Sequence, residues 1–236
     1  MRLIIAFGVL VLIVVAYYGT VTYRKTAVSK MLVDKAKPFE VDRRANITST
    51  TSVLVLGDST GVGVGADRPE DSVAGLLSEK INAATLENYS VSGAVVDDLP
   101  AQVAKAKLKQ YSFILIQIGG NDIIRFHSAK KTAAALDAVL ATLPKSHRVA
   151  VMSAGNVGAT TLFPWFMHPF YTALNLKYHE EFGKVVKARK FTYVNLYKEP
   201  AADLFSLRPD VYLSADGLHP SSKGYDLWLM DLMNSL

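Results

Sequence analysis

The sequence lacks cysteine altogether, which excludes disulfide bonds, thiolate metal sites and a cysteine nucleophile. It also lacks the Gly-Lys-Ser/Thr ending of a phosphate-binding Walker loop. Charged residues make up only 20% of the 236 residues and apolar residues 50%, which excludes a disordered chain and indicates a globular protein with a hydrophobic core. The net charge is +5, but the basic clusters are scattered and carry no interleaved aromatic residues. We therefore expect solvated helix faces and no nucleic-acid partner.

The N-terminal segment is apolar: residues 3–23 carry no charge, and tyrosines stand near the end of the run. At about 1.5 Å per residue, a helix of this length spans the roughly 30 Å hydrocarbon layer, which predicts a single transmembrane anchor at residues 1–23. A polar, basic juxtamembrane linker is predicted at residues 24–51. The alternative is a cleaved signal peptide, although no small-x-small cleavage site directly follows the apolar core.

The sequence gives two opposing signals for the side of the membrane on which residues 24–236 lie. A short N-terminal apolar segment usually acts as an export signal, which favours an extracytoplasmic domain. The lysines and arginines that follow the segment favour the opposite orientation by the positive-inside rule. We predict a membrane-anchored, single-pass protein with an extracytoplasmic domain. Nothing in the sequence indicates an oligomeric state.

From residue 52 onward, apolar runs of strand length alternate with segments of helical periodicity. Strands are predicted at residues 53–56, 86–91, 113–118, 149–152 and 192–196, and helices at residues 70–81, 99–108, 129–143, 172–190 and 221–236. Nearly continuous apolar strands separated by helices indicate a parallel sheet covered on both faces. The predicted fold class is α/β: a flavodoxin-like three-layer α/β/α sandwich with a five-stranded parallel sheet at residues 52–236. Ligands of such folds bind beyond the carboxyl ends of the strands.

A glycine-rich loop follows the first predicted strand and has two interpretations. Gly61, Gly63 and Ala66 match the dinucleotide-binding pattern G-x-G-x-x-[G/A], and Glu87 stands about where a ribose-binding acid is expected. Two features oppose a Rossmann-type nucleotide-binding module. Residues 58–60 separate the first strand from the first glycine, and the strand that would end at Glu87 is predicted to continue to residue 91. The nucleotide-binding module is kept as an alternative.

The other interpretation is a serine hydrolase in which the loop presents Ser59. A serine nucleophile needs a base that takes its proton and donors that hold the developing oxyanion. Asp216 and His219 are three residues apart, a spacing that lets a carboxylate hold the imidazole Nδ1 while Nε2 points outward. The backbone amides of Ser59 and Gly93 and the side-chain amide of Asn121 are candidate oxyanion-hole donors, because each follows a predicted strand.

Four short motifs, in this order, resemble those of the SGNH, or GDSL-type, serine hydrolases: GDST at 57–60, VSGA at 91–94, GGND at 119–122 and DGLH at 216–219. The resemblance covers residues 52–236. It implies a flavodoxin-like fold, no metal or cofactor, and hydrolysis of esters or thioesters through an acyl-enzyme. On the matching positions it places the nucleophile at Ser59, the base pair at His219 and Asp216, and the oxyanion hole at Ser59, Gly93 and Asn121. One departure is Thr60, where many members have leucine.

An aromatic segment, residues 161–172, follows the fourth predicted strand and shows neither helical nor strand periodicity. It is interpreted either as an acyl-chain groove or bilayer contact, or as a hydrophobic plug over the edge of the sheet. Together with the anchor, it favours a small-molecule or lipid-like ester as the substrate. Acyl transfer at the same site, and a membrane-tethered binding domain without catalytic activity, stay as alternatives.

Overall fold

The computed structural model describes residues 2–43 and 48–236. Met1 of the predicted anchor and residues 44–47 of the predicted linker lie outside the described residues. The strands are Ser52–Gly57 (β1), Thr85–Asn88 (β2), Gln110–Gln117 (β3), Lys145–Met152 (β4) and Thr192–Val194 (β5). The helices α1 to α10 are, in chain order, Arg2–Lys35, Ser59–Val62, Val73–Lys80, Leu99–Val103, Gly120–Ile124, Ala129–Leu140, His168–Ala188, Leu204–Leu207, Pro209–Tyr212 and Ser222–Ser235.

The five strands form one parallel sheet in the order β2-β1-β3-β4-β5. This is the flavodoxin-like order, which confirms the predicted fold class. β1 and β3 lie at the centre and pair in register from Val53 opposite Phe113 to Gly57 opposite Gln117. Their carboxyl ends therefore lie side by side at one edge of the sheet.

Two hydrophobic clusters cover the two faces of the sheet, because successive residues of each strand point to opposite sides. Leu54 and Leu56 of β1 pack with α6 and α7 on one face. Val53 and Val55 pack with α3 and α10 on the other face. The result is the three-layer sandwich that the alternation of apolar strands and amphipathic helices predicts.

Two strands end two or more residues earlier than predicted. β2 ends at Asn88 instead of residue 91, because the Asn88 side chain accepts a hydrogen bond from the amide of Ser90 (3.1 Å) and donates one to the carbonyl of Gly61 (2.9 Å). β5 ends at Val194 instead of residue 196, and the Asn195 side chain accepts from the amide of Tyr197 (3.0 Å). Both asparagines form local turns that compete with the strand ladder.

Two helices differ most from the predicted bounds. α4 stops at Val103, well before residue 108, and the following chain turns so that the amide of Lys107 donates to the carboxylate of Glu87 (3.1 Å). α7 begins at His168, so the second part of the aromatic segment is helical. A proline in the first turn suits this early start, since proline has no amide proton to leave unpaired there.

α1 is one continuous helix that runs through the apolar segment and on through residues 24–35 of the predicted linker. By length and composition alone, its stretch Phe7–Lys35 is long and apolar enough to cross a membrane, as a signal sequence also is. The most apolar part of this stretch is not buried against the rest of the protein. The division of the chain at residues 23 and 51 stays a prediction.

Candidate active site

Ser59 lies at the first position of α2, directly beyond the carboxyl end of β1. The end of β1 is fixed by the side chain of Gln102, which accepts from the amide of Gly57 (2.7 Å) and donates to its carbonyl (2.8 Å). Asp58 caps α2: its Oδ1 accepts from the amide (2.9 Å) and the hydroxyl (2.8 Å) of Thr60. The strand-to-helix turn therefore holds the Ser59 side chain at the sheet edge where ligands bind in this fold.

Asp216 and His219 lie on the loop before α10, and this loop is closed on itself. The amide of Ser214 donates to the carbonyl of His219 (2.8 Å), and Leu213 bridges Pro220. Ser221 then caps α10 by accepting from the amide of Gly224 (3.2 Å). A loop tied at both ends holds its two functional side chains in one orientation.

The three side chains meet in a linear hydrogen-bonded series. The Nε2 atom of His219 lies 2.9 Å from the Oγ atom of Ser59, and its Nδ1 atom lies 2.6 Å from Oδ2 of Asp216. All three are buried, and Asp216 is fully inaccessible to solvent. The structure thus brings together Ser59, Asp216 and His219 across a sequence separation of 160 residues between Ser59 and His219.

The carboxylate of Asp216 is held in its charged form. Its Oδ1 accepts three hydrogen bonds, from the hydroxyl of Ser214 (2.8 Å) and the amides of Leu218 (2.9 Å) and His219 (3.0 Å). Burial by itself would raise the pKa of Asp216, but the hydrogen bond and charge of His219, aided by these amides, hold the pKa well below its ordinary value. A charged Asp216 fixes a proton on Nδ1 of His219, which leaves Nε2 free to accept one from Ser59.

The three candidate oxyanion donors lie around the same cavity as Ser59 and His219. Asn121 stands in the first turn of α5, and its amide Nδ2 donates to the carbonyl of Ala94 (3.0 Å), which fixes the side chain. Gly93 has a φ of +84°, in the left-handed region that glycine adopts without strain. Within residues 2–43 and 48–236, no acceptor is bonded to the amide of Ser59 or of Gly93.

The cavity beside Ser59 has a volume of about 260 Å³ and a predominantly apolar wall. Its apolar side chains come from distant parts of the chain: Val33, Val157, Leu196, Phe205, Leu213 and Trp228. Sequence analysis missed the contributions of α1, α8 and α10 to this wall. For α1, the signal was present, since Lys25, Val28, Leu32 and their neighbours recur at helical spacing within the segment predicted as a linker.

The glycines of the loop serve close packing between segments of the protein. A side chain at Gly61 would collide with Ser90, and one at Gly63 would come within 2.6 Å of the Ser72 side chain. Ala66 packs beside the apolar cluster on the α3 face. The carboxylate of Glu87 accepts from the hydroxyl of Tyr111 (2.8 Å), among other donors. The dinucleotide interpretation of Gly61, Gly63, Ala66 and Glu87 therefore gains no support from their surroundings.

A second serine–histidine contact lies in the core. Ser153 Oγ is 3.0 Å from Nδ1 of His179, and the hydroxyl of Tyr193 lies 2.6 Å from the same nitrogen. Burial lowers the pKa of His179 to about 4, so the ring is neutral at pH 7. Neither Ser153 nor His179 lines the cavity, and in the described part of the chain no carboxylate contacts His179.

Two further buried carboxylates lie near the site. Burial raises the pKa of Asp58 from 3.8 to about 6, although the hydrogen bonds from Thr60 oppose the shift. Asp122 accepts from the amide of Val96 (3.2 Å), and its other oxygen lies 3.1 Å from Nδ1 of His127. Both residues brace the loops that carry Ser59 and Asn121.

Comparisons with solved structures agree with the observed fold. A phospholipase A1 from Streptomyces albidoflavus NA297 has 18% identity and a TM-score of 0.61, over 80% of this chain and 100% of that one. A lipolytic protein of the G-D-S-L family from Veillonella parvula DSM 2008 has 16% identity and a TM-score of 0.62, over 78% and 97%. A catalytic mutant of Axe2, an acetylxylan esterase from Geobacillus stearothermophilus, has 19% identity and a TM-score of 0.57, over 80% and 95%.

A comparison with curated proteins finds no significant match. The family model described as GDSL-like Lipase/Acylhydrolase family, in contrast, matches residues 55–227, a span that holds Ser59, Gly93, Asn121, Asp216 and His219. This protein therefore belongs to the GDSL-like lipase/acylhydrolase family of ester-hydrolysing enzymes.

Proposed function

We propose that the protein is a serine esterase that cleaves acyl or lipid-like esters through an acyl-enzyme on Ser59. The observation that carries the proposal is the hydrogen-bonded series from Ser59 through His219 to Asp216, at 2.9 Å and 2.6 Å. A hydroxyl, an imidazole and a buried carboxylate in this order form the constellation that activates serine on several unrelated folds.

In the first half of the reaction, Ser59 Oγ bonds to the ester carbonyl carbon while its proton moves to Nε2 of His219. The carbonyl oxygen becomes an oxyanion that accepts hydrogen bonds from the amides of Ser59 and Gly93 and from the side-chain amide of Asn121. The bond to the leaving oxygen then breaks, and His219 gives its proton to the departing alcohol. The products of this half are the free alcohol and an acyl group on Ser59.

In the second half, water attacks the acyl carbon and gives a proton to Nε2 of His219. The acyl–Oγ bond breaks, the proton returns to Ser59, and the carboxylic acid leaves. An alcohol in place of water gives acyl transfer by the same steps, and a thioester enters the first half in the same way. The charge of Asp216 stabilises the imidazolium that forms in both halves.

The apolar wall of the cavity supports an acyl chain as the group that the site accommodates. We also propose that α1 anchors the enzyme in a membrane, with the hydrolase domain on the extracytoplasmic side. Its length, its composition and the exposure of its apolar part support an anchor. Protease accessibility of the domain in intact cells tests the side: degradation is expected, and full protection contradicts the orientation.

Hydrolysis of nitrophenyl acetate and butyrate by the full chain in detergent tests the proposed esterase. The chain offers a matched control, because Ser153 is also a buried serine hydrogen-bonded to a histidine. We expect Ser59→Ala to lower kcat/KM by at least about 10³-fold, whereas Ser153→Ala stays within about threefold of the wild type. Equal activity of Ser59→Ala and the wild type contradicts the proposal.

A further inference from the structure

From Tyr18, near the end of the apolar run, to Val33, one face of α1 lies along the hydrolase domain. Its partly buried residues recur every three or four positions, while the positions between them are exposed. From Tyr18 to Val33 this face covers about 22 Å at 1.5 Å per residue. The residues of the face are Tyr18, Val21, Thr22, Lys25, Val28, Ser29, Leu32 and Val33.

Specific contacts fix this face of α1 to the loops around the active site. The ammonium group of Lys25 donates to the carbonyl (2.5 Å) and the hydroxyl (2.7 Å) of Thr161. Four residues further along the helix, Ser29 lines the cavity beside Ser59, and Val33 lines it one turn later. The helix that carries the apolar run is therefore also a wall of the cavity.

An exposed aromatic patch stands beside the other end of this contact face. The patch consists of Trp165, Phe166 and Phe170, whose exposed fractions are 68%, 47% and 64%. The ring of Phe166 packs edge-on against Tyr18, with 5.9 Å between the ring centroids. Tryptophan and other large aromatic side chains at the end of an apolar helix are typical of the membrane–water interface.

Distances along α1 place the patch and the cavity relative to a bilayer. With residues 3–23 in the hydrocarbon layer, Tyr18 and the patch lie about 7 Å on the hydrocarbon side of Tyr23, at the depth of interfacial aromatic residues. Ser29 lies about 9 Å on the other side, beyond a headgroup layer roughly 5–8 Å thick. With α1 normal to the membrane, Ser29 and the part of the cavity that it lines therefore lie at the outer surface of the headgroups.

We propose that α1 forms one wall of the acyl-binding cavity and that the aromatic patch rests in the bilayer interface, so that the site takes ester lipids from the membrane that holds the helix. This inference rests on the proposed esterase function and narrows its substrate class. Val33 is then a specificity-determining residue for the acyl chain, and Trp165 is a membrane contact.

The first experiment measures kcat/KM of the full chain for nitrophenyl esters from acetate to laurate. Val33→Trp places a larger side chain in the wall and reduces the space in the cavity. Met31→Trp is the matched control, since Met31 is 60% exposed on the opposite face of α1. We expect Val33→Trp to lower the laurate-to-acetate ratio by about tenfold or more, and Met31→Trp to leave it within about twofold. An unchanged ratio in Val33→Trp overturns the proposal.

Two control measurements separate an effect on the wall of the cavity from an effect on the Ser59 site. Activity on acetate in Val33→Trp shows that the Ser59 site is intact, and loss of acetate hydrolysis in Ser59→Ala shows that the esterase function holds independently of the wall. If Val33→Trp fails to fold, the smaller Val33→Ala replaces it and is expected to shift the preference towards longer chains. No shift in Val33→Ala then overturns the proposal.

The second experiment measures tryptophan fluorescence of the full chain in vesicles that contain brominated lipids. The chain has two tryptophans, and the second, Trp228, is 7% exposed and lines the cavity, so Trp228→Phe is measured as well and isolates the fluorescence of Trp165. We expect the brominated lipids to quench the wild type, and Trp165→Phe to lose most of that quenching. Equal quenching of the wild type and Trp165→Phe overturns the membrane contact of the patch.

Discussion

Replacing Asp216 with asparagine should disable the imidazole by fixing the wrong tautomer. The carboxylate offers two unequal oxygens: Oδ1 accepts three hydrogen bonds, and Oδ2 faces Nδ1 of His219 at 2.6 Å. An asparagine must keep its oxygen at the Oδ1 position. The flipped amide would leave three donors without an acceptor, and each buried unsatisfied donor costs about 1–3 kcal/mol.

The amide NH₂ of the variant then faces Nδ1 of His219, which must become an acceptor. The remaining ring proton moves to Nε2 and is donated to Ser59 Oγ, so the ring no longer takes the serine proton. Loss of this function in a triad lowers kcat by about 10⁴-fold. At 1.36 kcal/mol per tenfold, the expected loss is roughly 5 kcal/mol of transition-state stabilisation.

The assay is kcat/KM on nitrophenyl butyrate, with imidazole ¹⁵N chemical shifts of His219 as the second readout of the tautomer. Asp122→Asn is the matched control, since Asp122 is also a buried carboxylate beside a histidine, His127. We expect less than about tenfold loss in Asp122→Asn, because its histidine does not contact Ser59. Activity of Asp216→Asn within tenfold of the wild type would refute the reasoning.

Two other substitutions test neighbouring parts of the site. Asn121→Ala removes one proposed oxyanion donor. Steady-state kinetics should show kcat lowered by about 10²–10³-fold with little change in KM. An unchanged kcat excludes Asn121 as an oxyanion donor. Asp58→Asn tests whether the raised pKa of Asp58 makes stability depend on pH. The pKa of Asp58 in the folded protein is about 6, above its ordinary value of 3.8, so the wild type loses stability as the pH rises from 3.8 through 6. Asparagine keeps the oxygen that caps α2 but carries no charge. Urea unfolding should therefore show the variant to be roughly 3 kcal/mol more stable than the wild type at pH 8 and equally stable at pH 3.5. Equal stability of the two proteins at both pH values contradicts the raised pKa.

The sheet and the meeting of Ser59, Asp216 and His219 could be predicted because their signals are local. The apolar runs of β1, β3 and β4 are buried on both faces of the sheet, so they stand out in the sequence. Asp216 and His219 share one turn, and Ser59 follows a strand directly. The parallel topology then brings the strand ends together without further information.

The early end of β2 and the cavity wall could not be predicted in the same way. The end of β2 depends on the side chain of Asn88 reaching Gly61, a contact between residues far apart in sequence. The wall depends on how α1 packs against residues 161–166 and against the loop that carries Asp216 and His219. Polar residues such as Lys25 and Ser29 within α1 resemble those of a linker. Their helical spacing indicates a helix, but the surface that this helix contacts is set by residues far away in the sequence.

Labelling with a fluorophosphonate, followed by mass spectrometry of the peptides, tests the central claim most directly. This reagent bonds to a serine only where a base and oxyanion donors activate the hydroxyl. The account predicts one adduct on Ser59 in the wild type and in Ser153→Ala, and none in Ser59→Ala. An adduct that persists in Ser59→Ala, or a folded wild type without any adduct, would contradict it.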